Sequence, residues 1–163
     1  MPTVIPQPTP RPMQAIALAL LLALLLLLVA PQAQAQAATP ATTPTAKEAS
    51  WTIRDFRFRS GEVLPELRLH YRTLGDPSGE PVLLMHGTTG SGASLLTPNF
   101  GGELFGPGQA LDITRYYVIL PDAIGHGRSS KPSDGLRAAF PKYTYEDLVV
   151  AQHRLLTEHL KLV

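Results

Sequence analysis

Two continuously apolar runs constrain the fold of this chain most strongly. They are residues 81–86 (PVLLMH) and 116–121 (YYVILP). Short apolar runs without polar alternation are typical of strands that are covered on both faces in a parallel sheet. A glycine-rich loop follows each run. The two runs therefore predict an α/β protein in which both loops lie where ligands bind in open α/β sheets.

An antiparallel pair of strands is predicted before the first of these runs. Trp51 and Ile53 are at odd positions, whereas Phe56 and Phe58 are at even positions, so a regular strand would direct the two pairs to opposite faces. A single strand can bury all four side chains only with a bulge or irregularity, which we expect near Asp55. Residues 66–72 then alternate charged with apolar side chains and predict a half-buried strand, with the hairpin turn at residues 60–62.

The rest of the folded part predicts a crossover and a closing helix. Residues 93–111 are rich in glycine and permit at most a short helix before the second apolar run. Thr144 and Asp147 have the spacing of a capping box, so a helix should begin there. Its predicted apolar face consists of Leu148, Val149, Leu155, Leu156 and Leu160. Residues 162–163 would begin the next strand.

The N-terminal region differs in composition from the rest. Residues 15–30 contain no polar side chain, and they would span roughly 24 Å against a hydrocarbon layer of about 30 Å. Residues 33–35 provide a small-x-small cleavage pattern, so residues 1–35 are interpreted as a signal peptide. This predicts a periplasmic or secreted protein. The alternative is an uncleaved segment that anchors the protein in the inner membrane.

The next boundary is set by a change to small and polar residues. Residues 36–50 (QAATPATTPTAKEAS) lack apolar periodicity and predict a flexible linker, so the folded part should comprise residues 51–163. Without Arg11 of the predicted signal peptide, acidic and basic residues balance, which gives no electrostatic case for binding nucleic acid or anionic lipid. There is no cysteine. No cofactor or metal is predicted, since His153 and His159 are spaced wrongly for a shared ligand face.

The two glycine-rich loops are candidates for chemistry. In residues 86–92 (HGTTGSG), glycines free the backbone to direct N–H groups at an oxygen, as an oxyanion hole requires; a plain connecting loop is an equal alternative. A local triad of Asp122, His126 and Ser129 has suitable residue types. We reject it because three side chains of one short loop rarely converge as nucleophile, base and orienting group.

A nucleophile elbow is missing from the sequence. A serine hydrolase of α/β architecture carries G-x-S-x-G at a strand-to-helix turn. None of the eight serines has glycine at both required positions. Ser94 and Ser129 have a glycine on the N-terminal side only. The sequence therefore predicts that the chain holds no nucleophile of this kind.

Several segments, in this order and spacing, resemble the α/β-hydrolase family of homoserine O-acetyltransferases. The resemblance extends over roughly residues 56–163 and is carried by residues 60–62 (SGE), 71–75 (YRTLG), 86–92 (HGTTGSG), 106–112 (GPGQALD), 140–147 (FPKYTYED) and 150–152 (VAQ). It implies an eight-stranded, mostly parallel sheet. It also implies a serine after the fifth strand, followed by an aspartate and a histidine, which transfer acyl groups through an acyl-enzyme.

By this resemblance, the chain holds an incomplete α/β-hydrolase fold. It would contain the first four strands, with an antiparallel edge pair, and all three triad residues would lie outside it. The backbone N–H of Thr88, or less favourably Thr89, would form half of the oxyanion hole. The apolar strand at residues 81–86 would become an open sheet edge, and the isolated chain would be inactive.

The expected reaction of the parent enzyme is hydrolysis of an ester or related small acyl substrate. Residues 125–130 (GHGRSS) are typical of general α/β-hydrolases, and export would separate the protein from cytosolic acetyl-CoA. One alternative is a homoserine O-acetyltransferase. Another is a non-enzymatic truncated product, or an interaction module that pairs its open strand with a partner.

Overall fold

The computed structural model describes residues 45–162, which form a four-stranded sheet flanked by short helices. The strands are β1 (Lys47–Arg57), β2 (Val63–Leu74), β3 (Glu80–Leu83) and β4 (Tyr116–Pro121). The α-helices are α1 (Pro98–Gly101) and α2 (Tyr145–Arg154); α2 continues as a π-helical turn (Leu155–His159), and 3₁₀ turns occupy Gly92–Leu96, Pro132–Asp134 and Arg137–Ala139. None of these helices is long and apolar enough to cross a bilayer. The predicted signal peptide, residues 1–35, lies outside the described residues.

The strand order is β1-β2-β4-β3, so the chain crosses over between β3 and β4. β1 with β2 and β2 with β4 pair antiparallel, whereas β3 with β4 is parallel. The crossover contains only a 3₁₀ turn and α1, as predicted for a glycine-rich segment. The predicted α/β arrangement, with a parallel pair beginning after an antiparallel edge pair, is therefore confirmed.

The parity change in β1 occurs at Asp55. This residue has φ of 50°, in the left-handed region that side chains other than glycine rarely adopt. The register is unbroken across it, because Arg54 pairs with Glu66 and Phe56 pairs with Leu64. The irregularity is thus a backbone twist without an inserted residue, and it buries Ile53 and Phe56 in the same core.

β1 begins four residues earlier than predicted. Lys47 lies opposite Thr73, and Ser50 lies opposite His70. Residues 47–50 therefore belong to the sheet, and the prediction of a linker over residues 36–50 was wrong for its last four residues. Their composition is poor for a strand, but the long β2 offers backbone partners that override this local preference.

The sheet separates two apolar clusters, one on each face. Tyr117 and Ile119 of β4 point to the larger cluster, which also contains most of the buried apolar residues of the hairpin and Ala151 of α2. Val118 and Leu120 point to the smaller one, together with Phe105 of the crossover. Because successive side chains of a strand face opposite ways, β4 is buried on both faces, as its continuous apolar run predicts.

β3 differs from β4 although its sequence is equally apolar. The strand is only four residues long, its side chains are exposed or half-buried, and Met85 just beyond it is 60% exposed. The prediction that this run is covered on both faces was therefore wrong for the described residues. The reason is its edge position: within residues 45–162 no strand pairs with its outer side, which confirms the expected open edge.

α2 is anchored at its start by Asp147, which is 2% exposed. One carboxylate oxygen accepts the backbone N–H of Thr144 at 2.8 Å, and the other accepts the N–H of Arg59 at 2.8 Å. The predicted capping box is therefore present, and it also joins the helix to the β1–β2 turn. Of the predicted apolar face, Val149 is the exception, since it is 63% exposed.

The chain after α2 does not form the predicted strand within the described residues. Leu162 has no strand geometry, and its N–H donates to the carbonyl of Leu156 at 2.9 Å. His159 stacks on Trp51 at 5.4 Å between ring centroids and hydrogen-bonds the hydroxyl of Tyr71. His159 thus lies at the edge of the core, as expected for a solvated or core-edge residue.

Candidate active site

The loops that follow β3 and β4 meet around one cavity of about 350 Å³. We call them the β3 loop (residues 86–92) and the β4 loop (residues 122–130). Both follow the carboxyl ends of parallel strands, where the sequence places a ligand site. The start of α2 closes a further side. The lining consists of His86, Gly87, Thr88, Ala123, His126, Tyr143, Thr144, Tyr145 and Leu148.

His86 joins the two loops at the base of the cavity. Its Nε2 accepts the backbone N–H of Ala123 at 3.0 Å, and its Nδ1 lies 2.8 Å from the carbonyl oxygen of Gly87. Because a backbone N–H can only donate, Nε2 carries no proton in this arrangement and Nδ1–H is the donor to Gly87. Gly90 N–H donates to the same carbonyl at 2.9 Å, which closes a turn around Thr88 and Thr89.

His126 makes a second connection, from the β4 loop back to the β3 loop. Its Nε2 lies 2.5 Å from the carbonyl oxygen of Thr88, and its Nδ1 lies 3.1 Å from that of Ile124. Both partners are acceptors, so a neutral imidazole satisfies only one of them. The shorter contact, to Thr88, is the one that a proton on Nε2 would serve. The rings of His126 and His86 are 5.1 Å apart.

Thr88, the predicted oxyanion-hole residue, lines the cavity and is exposed. Within residues 45–162 no protein acceptor bonds its backbone N–H. Thr89, the alternative, is not among the described residues that line the cavity. The N–H groups of Gly87 and Thr89 likewise have no acceptor among the described residues, so the turn leaves three unpaired N–H groups, and two of them belong to residues that line the cavity. A catalytic role for the Thr88 N–H stays a prediction.

Asp122 organises the β4 loop from below. This side chain is 1% exposed, and its Oδ1 accepts the N–H of Gly92 at 2.7 Å while its Oδ2 accepts that of Arg128 at 2.8 Å. His70 Nδ1 lies 3.0 Å from Oδ2, and Arg72 lies 3.2 Å from Oδ1. One buried carboxylate therefore fixes both loops to β2.

These contacts also set the protonation of Asp122. Burial raises the pKa of its carboxyl group, but the hydrogen bonds from the Arg128 and Gly92 backbone act in the opposite direction. The positive charge of Arg72 and the bond from His70 add to this opposing effect. As a result, the pKa of Asp122 lies below its usual value of 3.8, and the group is ionised when the site is intact.

Close packing around this carboxylate also fixes the residue type at Gly127. Its φ is 51°, and a Cβ atom built there would collide with the Asp122 carboxylate. A side chain at this position would therefore displace the group that holds both loops.

The rejected local triad is not formed. Ser129 is fully buried; its hydroxyl donates to the carbonyl of Asp122 at 2.6 Å and accepts the N–H of His70 at 2.9 Å. His126 points to Thr88 instead. Both sides of the Ser129 hydroxyl are thus used by the backbone, and it does not face the cavity.

Sequence reasoning missed the buried polar side of β2. Alternation predicts that His70 and Arg72 are solvated, yet they are 4% and 6% exposed. They lie between Asp122 and Glu48. The Glu48 carboxylate accepts hydrogen bonds from Arg72 Nε at 2.9 Å and from the Arg128 guanidinium at 2.6 Å. The partners are separated by 24 to 80 residues, so no local pattern could have revealed them.

The described residues contain no cluster of histidine, aspartate and glutamate side chains suited to a metal ion. The described lining of the cavity offers backbone N–H groups, two imidazoles, hydroxyl groups and apolar carbon.

Comparison with known proteins relates this geometry to one group of enzymes. No family model matches the chain. The homoserine O-acetyltransferase of Haloferax prahovense is 37% identical over 126 residues, which cover 66% of this chain and 30% of the relative. The chain thus spans roughly a third of the length of the curated relatives it matches.

Solved structures agree with the sequence relatives. Homoserine O-acetyltransferase from Staphylococcus aureus superposes with a TM-score of 0.60 at 28% identity, covering 70% of this chain and 36% of that one. An acetylester hydrolase from Corynebacterium glutamicum gives 0.59 at 26% identity, covering 69% and 33%. The fold is that of the α/β-hydrolase superfamily. Within it, the chain is homologous to the homoserine O-acetyltransferases, with coverage consistent with an N-terminal portion.

Proposed function

We propose that this chain supplies one half of the oxyanion hole in a serine-type acyl-transfer enzyme. The observation that carries the proposal is the Thr88 N–H, which has no acceptor among the described residues and belongs to a residue lining the cavity at the end of β3. Acyl transfer creates a negative oxygen, which such preorganised donors stabilise. The second donor would be the N–H that follows the catalytic serine.

The nucleophile, its histidine and its aspartate would lie outside these 163 residues. Two observations support this part of the proposal. The buried Ser129 hydroxyl is fully used by backbone partners, and no serine has the G-x-S-x-G context. The chain by itself would then form no acyl-enzyme.

Water is the acyl acceptor that we favour. The cavity wall contributed by residues 45–162 contains no lysine, arginine, aspartate or glutamate, which suits an uncharged ester better than an amino acid. The acetylester hydrolase similarity supports the same reaction class. The proposed substrate is an ester or related small acyl compound, and export through residues 1–35 would be part of this function.

Acetyl transfer to homoserine is the second candidate. It is favoured by the 37% identity to a relative named homoserine O-acetyltransferase. Both reactions would share the first half-reaction, in which the enzyme is acylated, and would differ only in the acceptor of the second.

A non-enzymatic role is the third candidate, and the open edge of β3 favours it. A partner strand could pair with this edge, as in other examples of strand addition. A module of this kind would be soluble with a defined stoichiometry, which size-exclusion chromatography measures.

Burst kinetics with p-nitrophenyl acetate test the proposal. The 163-residue chain should release no stoichiometric burst of nitrophenolate, and a burst would show that a nucleophile within the chain works. The nucleotide sequence downstream of the codon for Val163 should encode G-x-S-x-G in one frame. If it does, the joined polypeptide should hydrolyse the ester, and Thr88→Pro, which removes the N–H, should lower kcat about 10²–10³-fold.

Thr88→Ala provides the matched control, because it changes the side chain and keeps the N–H. Equal activity of the Pro and Ala variants would overturn the role of this donor. Faster transfer of acetyl groups to homoserine than to water would support the second candidate, the acetyltransferase.

A further inference from the structure

We propose that His126 is a positioning residue that orients the peptide between Thr88 and Thr89 in the β3 loop. The proposal rests on the proposed function, since it concerns the loop that would provide the oxyanion-hole donor. Its basis is the 2.5 Å contact between His126 Nε2 and the Thr88 carbonyl oxygen, which joins residues 38 positions apart.

Peptide planarity turns this contact into an orientation. In a trans peptide the C=O and the following N–H point in opposite directions. His86 Nδ1 and Gly90 N–H hold the Gly87 carbonyl, which fixes the direction of the Thr88 N–H. His126 holds the Thr88 carbonyl and so fixes the next peptide. Two imidazoles therefore determine two successive peptide planes of the same turn.

The fixed direction matters because a carbonyl and an N–H have opposite dipoles. If the peptide between Thr88 and Thr89 turned over, its carbonyl oxygen would move away from His126. The lone pairs of that oxygen would then be free to face the cavity, where they would repel a developing oxyanion instead of stabilising it. His126 removes this alternative by binding the carbonyl directly.

The β4 loop gives His126 a firm base. Its backbone N–H donates to Ala123 at 3.0 Å, and the preceding Gly125 N–H donates to Ser130 at 2.9 Å. The loop itself is held by the buried Asp122 carboxylate through the N–H of Arg128. The buried carboxylate therefore stabilises the β4 loop, and the β4 loop positions the His126 imidazole. This imidazole in turn holds the exposed turn at Thr88.

Two amide substitutions separate this contact from the other bond of the same ring. In His126→Gln the side-chain amide nitrogen lies near the former position of Nε2 and can still donate to Thr88. In His126→Asn it lies near the position of Nδ1, where it can reach Ile124 but not Thr88. The variants have the same functional group and differ by one methylene.

The test is NMR spectroscopy of the complete 163-residue chain, labelled with ¹³C and ¹⁵N. In the wild type, the imidazole ¹⁵N signals should show the proton on Nε2, with a coupling across the hydrogen bond to the Thr88 carbonyl carbon. The Thr88 carbonyl ¹³C signal should stay close to its wild-type position in His126→Gln. It should move upfield in His126→Asn, where this hydrogen bond is lost.

The Gly92 amide signal serves as the control for folding, because its bond to Asp122 does not involve His126. An unchanged Thr88 signal in His126→Asn would overturn the proposal, as would a wild-type ring protonated only on Nδ1. If His126→Asn also loses the Gly92 signal, the wild-type coupling and the His126→Gln spectrum decide.

These spectra require no catalysis, so the two proposals fail in distinguishable ways. If Thr88→Pro leaves the activity of the joined polypeptide unchanged while the spectra agree with the Nε2 bond, the oxyanion-hole role is wrong and the positioning contact stands. If the coupling is absent but Thr88→Pro is inactive, the donor role stands and the positioning proposal is wrong.

Discussion

The β3 and β4 loops occupy neighbouring positions on the same edge of one sheet, yet they are held in different ways. The β4 loop surrounds a buried carboxylate that accepts hydrogen bonds from two backbone N–H groups and two side chains. The β3 loop is held by the same carboxylate only at its buried end, Gly92, whereas its exposed turn at residues 87–89 is connected to the rest of the molecule through two imidazoles. The comparison shows that a buried carboxylate anchors the β4 loop and the end of the β3 loop, and that the exposed turn depends on side-chain contacts of its own.

Asp122→Asn should have the largest effect on stability, because it alters the carboxylate that anchors the β4 loop. The amide cannot accept bonds at both former oxygen positions, and it removes the buried one of the two carboxylates that pair with Arg72, leaving only the half-exposed Glu48. We expect a loss of about 3–5 kcal/mol in the free energy of unfolding, measured by urea denaturation. Asp134→Asn is the control, since its ion pairs are partly solvated and should contribute at most about 1 kcal/mol. Similar losses for both variants would contradict the special role of Asp122.

Acid should weaken the same centre over a defined range of pH. The folded pKa of Asp122 lies below the unfolded value of 3.8, so its contribution is fully present above that value and is lost as pH falls through the folded pKa. Below pH 3.8 the free energy of unfolding should fall by up to about 1.4 kcal/mol per pH unit on account of this group. Asp122→Asn should show a shallower dependence in acid titrations, and parallel curves would contradict the assignment.

Asp147→Ala should have a smaller effect, because it removes a helix cap and leaves the two loops in place. Both Thr144 N–H and Arg59 N–H lose their acceptor. We expect a loss of about 1–2 kcal/mol in thermal or urea unfolding. Glu146→Ala is the control, since it removes only an exposed ion pair with Arg59 and should change stability by less than about 1 kcal/mol. A larger loss in the control would indicate that surface charge, and not the cap, holds α2.

Met85→Lys should have the smallest effect on stability and a visible effect on association. Met85 is 60% exposed next to the open β3 edge, and lysine at such an edge opposes pairing between chains. We expect a change in unfolding free energy within about 0.5 kcal/mol and less high-mass material in size-exclusion chromatography with light scattering. Val149→Lys, on exposed α2, should leave association unchanged. Equal reductions by both variants would point to net charge as the cause.

The features that sequence predicts well are those with a local cause. The limits of β4 follow from one uninterrupted apolar run, and the start of α2 follows from the Thr144 and Asp147 spacing. The irregularity at Asp55 follows from the conflicting parity of large apolar residues on either side. Each of these depends on residues within a few positions of each other.

The features that were missed depend on distant partners. Residues 47–50 join the sheet because β2 is long enough to pair with them. The burial of His70 and Arg72 depends on Asp122, some 50 residues further along the chain. For the candidate site, sequence indicates the β3 loop and Thr88 but not the contact from His126. A histidine in a glycine-rich loop has no periodic pattern from which its acceptor could be inferred.

The collision expected at Gly127 has a practical consequence for protein engineering. Most members of a combinatorial library that randomised the β4 loop should be destabilised, because each new side chain at that glycine competes with Asp122 for the same space. Tyr143 and Tyr145 are better positions for substitution, because both line the cavity, are at least partly exposed and contribute no hydrogen bond to the network around Asp122. Substitutions meant to alter the proposed acyl preference should therefore be made on the rim of the cavity, with its floor left intact.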